Sequence, residues 1–178
     1  MTTAQAAGAR DLIIIAIPVK AMGSLPVDIL AASPAIVVDA GNYYPSRDGQ
    51  IAAIEAGWTD SEWVANVLGH PVVKAFNNIV APSLAAKATT AGNPNRIALS
   101  VAGDEAAQKQ VVMKLIAEIG FGAIDAGPIA ESWRQQPGEP AYCRDLDKDS
   151  LQAALQQADS SKRAENLAQT DEMARPYL

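Results

Sequence analysis

Proline, glycine, asparagine, tyrosine and lysine gather in three short segments of this sequence: Ile17-Pro18-Val19-Lys20-Ala21-Met22, Asp39-Ala40-Gly41-Asn42-Tyr43-Tyr44-Pro45 and Lys74-Ala75-Phe76-Asn77-Asn78-Ile79. Each closes an apolar, β-branched run, and in open α/β sheets ligands bind at the carboxyl ends of strands. A proline at such an exit fixes φ and gives up a donor, which leaves backbone free to face a ligand. Each segment also has a plainer reading. Pro18 suits the first position of a helix, Gly41-Asn42 an ordinary turn, and Asn77 with Asn78 the cap of the next helix. Lys20 and Lys74 are expected in solvent, and Cys143 is expected to be a small, inert side chain.

The rest of the composition narrows the chemistry. His70 is the single histidine and Cys143 the single cysteine. An intramolecular disulfide, a thiolate metal cluster and a multi-histidine metal site are therefore excluded within one chain, and a histidine-based triad is disfavoured. A length of 178 residues, 49% of them hydrophobic, suits one domain with a sizeable core. A net charge of -6 without a clustered basic surface argues against nucleic acid as a partner. No apolar run approaches the roughly 20 residues that span a bilayer. The first residues lack the basic, apolar, small-residue order of a signal peptide, so the cytoplasm is the expected location.

The elements that must position these residues alternate along the chain. Strands are expected at residues 11–17, 35–39, 72–76, 97–102 and 123–125. Helices are expected at residues 19–32, 61–68, 82–88 and 105–119. The near-continuous apolar strands imply a sheet covered on both faces, the mark of an α/β fold. In the clearest helix Asp104 is placed to cap the start, Val111, Val112, Leu115, Ile116 and Ile119 form the apolar stripe, and Gly120 ends it. From Asp147 the chain turns polar and alanine-rich, with helices expected at 149–159 and, more weakly, 162–174.

Taken in order, the segments resemble a known family. Ile14-Ile15-Ala16-Ile17-Pro18, Val37-Val38-Asp39-Ala40-Gly41-Asn42-Tyr43-Tyr44-Pro45-Ser46-Arg47-Asp48-Gly49 and Val72-Val73-Lys74-Ala75-Phe76-Asn77-Asn78 are similar to the NADP oxidoreductases dependent on the deazaflavin coenzyme factor 420. The likeness continues through Val101-Ala102-Gly103-Asp104, Ile119-Gly120-Phe121 and Asp125-Ala126-Gly127-Pro128-Ile129 to Ser132-Trp133-Arg134. It implies a Rossmann-like, mostly parallel sheet over residues 1–146, incomplete at its N-terminus, and a helical tail over 147–178. It also implies hydride transfer between NADP(H) and a deazaflavin, a flavin or a similar small redox substrate. The nicotinamide end is implied to lie against Ile17, Pro18 and Ala21, against Asn42, and against Asn77, Ile79 and Ala81. Hydride transfer between two bound rings depends on alignment rather than proton donors, so no general acid or base is assigned. Ala21 stands where some relatives carry a polar group, so contact there is expected to be backbone or apolar.

The sequence departs from the family at its start. The strand, glycine-rich turn and helix that bind the pyrophosphate are not seen, nor is the basic turn for the 2′-phosphate, and Gly120-Phe121-Gly122 follows a helix and lacks the remaining spacing. The first strand is therefore expected at a sheet edge, where it invites pairing with another chain, and a homo-oligomer, commonly a dimer, is expected. One reading is a fragment or short form of an NADP-linked oxidoreductase. A second is a non-catalytic Rossmann-derived dimerisation or binding module. A third, a dehydrogenase acting on hydroxy acids or imines, is disfavoured for want of a long helical substrate domain. Trp133, Arg134 and Tyr142, with Tyr43 and Tyr44, are candidates to face a flat ring or an acidic tail, although such aromatics usually serve a core or an interface.

Overall fold

In the computed structural model, which describes residues 1–178, each apolar run forms a strand: β1 (Leu12–Ile15), β2 (Ile36–Asp39), β3 (Val72–Lys74), β4 (Ala98–Val101) and β5 (Gly122–Asp125). Helix α1 (Thr3–Ala7) precedes β1, and α2 (Val27–Ala31) joins β1 to β2. Three helices, α3 (Pro45–Asp48), α4 (Ala52–Glu55) and α5 (Asp60–Leu68), lie between β2 and β3. Helices α6 (Ala81–Ala86) and α7 (Ala106–Glu118) flank β4 in the chain, and α8 (Lys148–Gln157) and α9 (Arg163–Ala174) follow β5.

Strands β1, β2 and β3 pair in parallel in that order, with Leu12 opposite Ile36 and Val37 opposite Val72. Strands β4 and β5 form a second parallel pair. The two sheets meet at one antiparallel bridge, where the Lys74 N–H donates to the Ala102 carbonyl at 2.8 Å and the Ala102 N–H to the Lys74 carbonyl at 3.0 Å. This is the α/β architecture that the strand pattern implies and the Rossmann-like sheet that the family resemblance implies. Strand β1 forms the open edge: Ile14 is 47% exposed, whereas its register partner Val38 is fully buried.

Both sheet faces carry a core. On one, Val38, Val73, Leu99 and Val101 pack against Val112 and Ile116 of α7. On the other, Ile15, Val37 and Val72 pack under Leu30 of α2 and Val64 and Leu68 of α5. Ala98 and Ile124 are covered by Leu151, Ala154 and Leu155 of α8. Each fully buried aliphatic side chain contributes about 1.5–3 kcal/mol.

Several local expectations are corrected. Residues 19–32 do not form one helix: a 3₁₀ segment, Val19–Ser24, ends at extended Leu25, and α2 starts only after Pro26. A residue before proline is pushed out of the helical region. Asp104 does not cap α7. The N-cap is Glu105, without a side-chain bond, and the Asp104 carboxylate accepts the N–H of Ile129 at 3.0 Å instead. On the same helix Val112 and Ile116 are fully buried, but Val111 and Ile119 are 50% and 40% exposed. Lys109 takes a buried place there because its ammonium pairs with Asp125 at 2.6 Å. Helices α3 and α4 fall in a stretch whose turn-forming residues give no helical period. No helix is long and apolar enough to cross a membrane.

Candidate functional site

The exits of β2 and β3 are joined below the surface by charge. Asp39 and Lys74 are register partners, and their ion pair, 3.0 Å long, is buried completely at both ends. The Lys74 ammonium also donates to the Gly41 carbonyl at 2.6 Å, while Ser61 at the start of α5 donates to Asp39 at 2.7 Å. The Gly41 N–H closes onto the other Asp39 oxygen at 2.8 Å. Lys74 is thus not solvated. It occupies the helix-covered sheet face, where only an in-register carboxylate makes its burial tolerable. A Cβ on Gly41 would stand 3.0 Å from Asp39 Oδ1 and 3.6 Å from the Ile17 carbonyl, so glycine lets the β1 and β2 exits approach each other.

Above this pair sit the asparagines. Phe76 turns the chain through a left-handed conformation (φ 66°), a strained position of the kind concentrated at functional sites. The Asn77 amide donates to Asn42 Oδ1 at 3.1 Å and to the Gln135 carbonyl at 2.7 Å, and its Oδ1 accepts from Gln135 Nε2 at 2.9 Å. Asn42 returns a bond from Nδ2 to the Asn77 carbonyl at 3.2 Å. Asn77 is buried and its carboxamide is committed on both sides. Asn42 is half-buried and keeps one N–H and one lone pair unused. Neither Asn77 nor Asn78 caps α6, whose N-cap is Val80.

A loop at residues 142–145 closes one flank. The Tyr142 and Tyr44 hydroxyls lie 2.7 Å apart, and the Cys143 N–H donates to the Asn78 carbonyl at 3.1 Å. Cys143 and Asp145 both adopt left-handed backbone (φ 53° and 50°). Burial pushes Tyr44, Tyr142 and the Cys143 thiol up from their ordinary pKa values, so all three stay protonated at neutral pH. On the other flank the exposed Lys20 ties the β1 exit to α3, its ammonium bonding the Arg47 carbonyl at 2.9 Å.

The remaining candidates divide. Ile17 and Ala21 are half-buried at the β1 exit, and Pro18 is exposed beside them. The Ala21 N–H is taken by the Pro18 carbonyl at 2.9 Å and its carbonyl accepts from the Ser24 hydroxyl at 2.6 Å, which leaves its methyl and one carbonyl lone pair for a ligand. Ile79 turns into the core against Val73, and Ala81 is the exposed first residue of α6; no hydrogen bond joins either to the Asn42–Asn77 pair. Trp133 is 7% exposed, with the guanidinium groups of Arg134 and Arg163 at 4.6 and 5.4 Å from its ring, so the core reading holds for it. Gln135, Ser61 and the structural role of Lys74 were not legible in the sequence. Gln135 lies in a 3₁₀ segment, Ile129–Gln135, that shows no periodic pattern.

No protein-family model matches the chain. Protein YjhV of Escherichia coli strain K12 is 45% identical over 64 residues, which make up 36% of this chain and 47% of YjhV, so the match spans about half of that relative. The crystal structure of the hypothetical protein SMa0349 from Sinorhizobium meliloti superposes with a TM-score of 0.67 at 30% identity, covering 83% of this chain and 71% of that one. The chain belongs to the family of SMa0349. A protein of Arthrobacter sp. FB24, described as a candidate factor 420-dependent NADP reductase, shares the SMa0349-like fold more distantly. Its TM-score is 0.58 at 22% identity over 74% of this chain and 62% of that one, a likeness of fold alone.

Proposed function

We propose that the strand-exit cleft holds the nicotinamide end of NADP(H) and that the chain is part of an oxidoreductase passing hydride to a deazaflavin, flavin or similar acceptor. The observation that carries this reading is Asn42: a half-buried carboxamide, fixed in orientation by Asn77, with one donor and one acceptor still open. A nicotinamide carboxamide offers the complementary acceptor and donor. When bound, the dinucleotide supplies the hydride, and the protein supplies alignment. In this reading Asn77 and Gln135 are positioning residues. Ile17, Pro18 and Ala21 form one wall, with Ile79 and Ala81 on the β3 side. The fold shared with the Arthrobacter protein and the ordered run of family-like segments support it.

A second reading rests on the open edge of β1, where Ile14 is exposed. Pairing at that edge would give a homo-oligomer in the cytoplasm that serves as a binding module. NADPH oxidation followed at its nicotinamide absorbance, with FMN and a deazaflavin as acceptors, separates the two. Acceptor-dependent oxidation that falls at least tenfold in Asn42→Ala is expected. A folded oligomer that neither binds nor oxidises NADPH would instead favour the module.

A further inference from the structure

Arg47, on the single turn of α3, is a charged residue to which the nicotinamide reading gives no part. Its guanidinium has five N–H donors, and three are spent. Nε and one Nη2 proton fork onto Asp48, at 3.1 Å to Oδ1 and 2.8 Å to Oδ2, and the second Nη2 proton goes to the Asn42 carbonyl. Both Nη1 donors are left. Nη1 donates to no protein atom and is not sealed from solvent, the Arg47 side chain being 18% exposed. The free donors are therefore reachable, and they belong to a group bonded to Asn42. That group is also held rigid. The Asp48 side chain is fully buried and, besides the fork, accepts the N–H groups of Lys20 at 3.2 Å and Tyr44 at 3.0 Å. Burial by itself would raise the Asp48 carboxyl, but the Arg47 fork and these two amides outweigh it and hold it below its ordinary value, so it stays ionised at neutral pH. The Tyr44 ring covers the guanidinium, its centroid 5.3 Å away.

A planar fork fixed on one edge by a buried carboxylate and by Asn42 keeps its remaining edge in one orientation. Lys20, exposed and bonded through its ammonium to the Arg47 carbonyl, sets a second cation against the one carboxylate. The corner is positive in a chain whose net charge is -6. Such a corner suits a ligand oxygen that gains negative charge. When the C–H bond of the nicotinamide breaks, its electron pair makes the new bond at the central ring of the acceptor. The nicotinamide is left oxidised and the acceptor ring an anion, its charge spread over the carbonyl edge of the pyrimidine ring in a flavin or deazaflavin. The proton that completes the reduction comes later from water. A fixed cation at that edge stabilises the charge as it develops. We propose that Arg47 binds the second substrate, its Nη1 donors on the pyrimidine carbonyl edge of a ring of the flavin or deazaflavin class. The position of that ring beside Asn42 rests on the nicotinamide reading.

The test needs no turnover. The full chain is titrated by calorimetry without oxygen at pH 8, once with oxidised riboflavin and once with dithionite-reduced riboflavin, a probe with no phosphate to pair with an arginine. The parent is expected to bind both, and the reduced, anionic ring at least tenfold more tightly. Arg47→Gln is expected to lose that preference, while NADPH binding, read by nicotinamide fluorescence, changes less than threefold. No riboflavin binding by the folded parent, or equal binding of its two forms, would overturn the proposal even if Arg47→Gln fails to fold. So would a preference that survives Arg47→Gln, or a loss of NADPH binding as large as the loss of riboflavin, which would make Arg47 a support for Asn42 alone. Preferential binding of reduced riboflavin by a chain that binds no NADPH would uphold the role of Arg47 and contradict the nicotinamide reading instead.

Discussion

At the residue scale the site is governed by what burial does to polar groups. Lys74→Met leaves Asp39 buried without its cation and is expected to destabilise the chain by about 3–5 kcal/mol. A urea midpoint measures this, and adding Asp39→Asn is expected to recover part of the loss. Asp60 carries the opposite sign. Its folded pKa is raised, chiefly by burial, so its ionised form costs stability above that pKa, and the cost disappears as pH falls below the ordinary carboxylate value. Asp60→Asn is therefore expected to be more stable than the parent at pH 7, with the difference vanishing toward acid; melting temperatures across that range check it. Equal stability at pH 7 would contradict the assignment. Cys143, with its thiol pKa raised by burial, is expected to alkylate more slowly than a free cysteine at neutral pH and to gain rate as pH rises. Of these residues the sequence displayed Asn42 and Asn77 at a strand exit, because exits are marked by where apolar runs stop. It hid the pairing of Lys74 with Asp39, since a lysine becomes buriable only through a register partner 35 residues away.

At the element scale the five strands and the long helices were legible because their apolar periods are set by faces that must be covered. The breaks were not. Residues 19–32 keep a helical composition, yet Pro26 splits them, and α3 and α4 are single turns held by tertiary bonds such as Tyr43 to Glu55. Helix α9 shows the same dependence. Its polar sequence gives little reason to fold alone, and it is pinned where Ser46 donates through both N–H and hydroxyl to Asp171, at 3.0 and 2.8 Å. Gly138, in left-handed backbone, packs against the Asn166 carbonyl of that helix, where a Cβ has no room. Gly138→Ala is expected to destabilise the chain by about 1–3 kcal/mol and to loosen α9 first, which amide exchange resolved by residue would show as lost protection in residues 163–174. Protection unchanged there would contradict the docking described.

At the scale of the whole molecule, two sheets meet at one bridge, and the carboxyl ends of β1, β2 and β3 lie at one end of the same parallel sheet, where the cleft proposed for the nicotinamide is placed. The open edge of β1 is expected to drive association, so Ile14→Lys should shift the mass in solution toward the monomer while changing the melting temperature little; light scattering on the eluting peak reads both species. The central claim is that this cleft, oriented through Asn42, receives the nicotinamide of NADP(H). Its most direct test is titration of the purified chain with NADPH beside Asn42→Ala, followed by nicotinamide fluorescence. Saturable binding in the micromolar range, weakened at least tenfold by the substitution with the fold unchanged, is the predicted result. No binding by the folded parent chain, or equal binding by the variant, would contradict it.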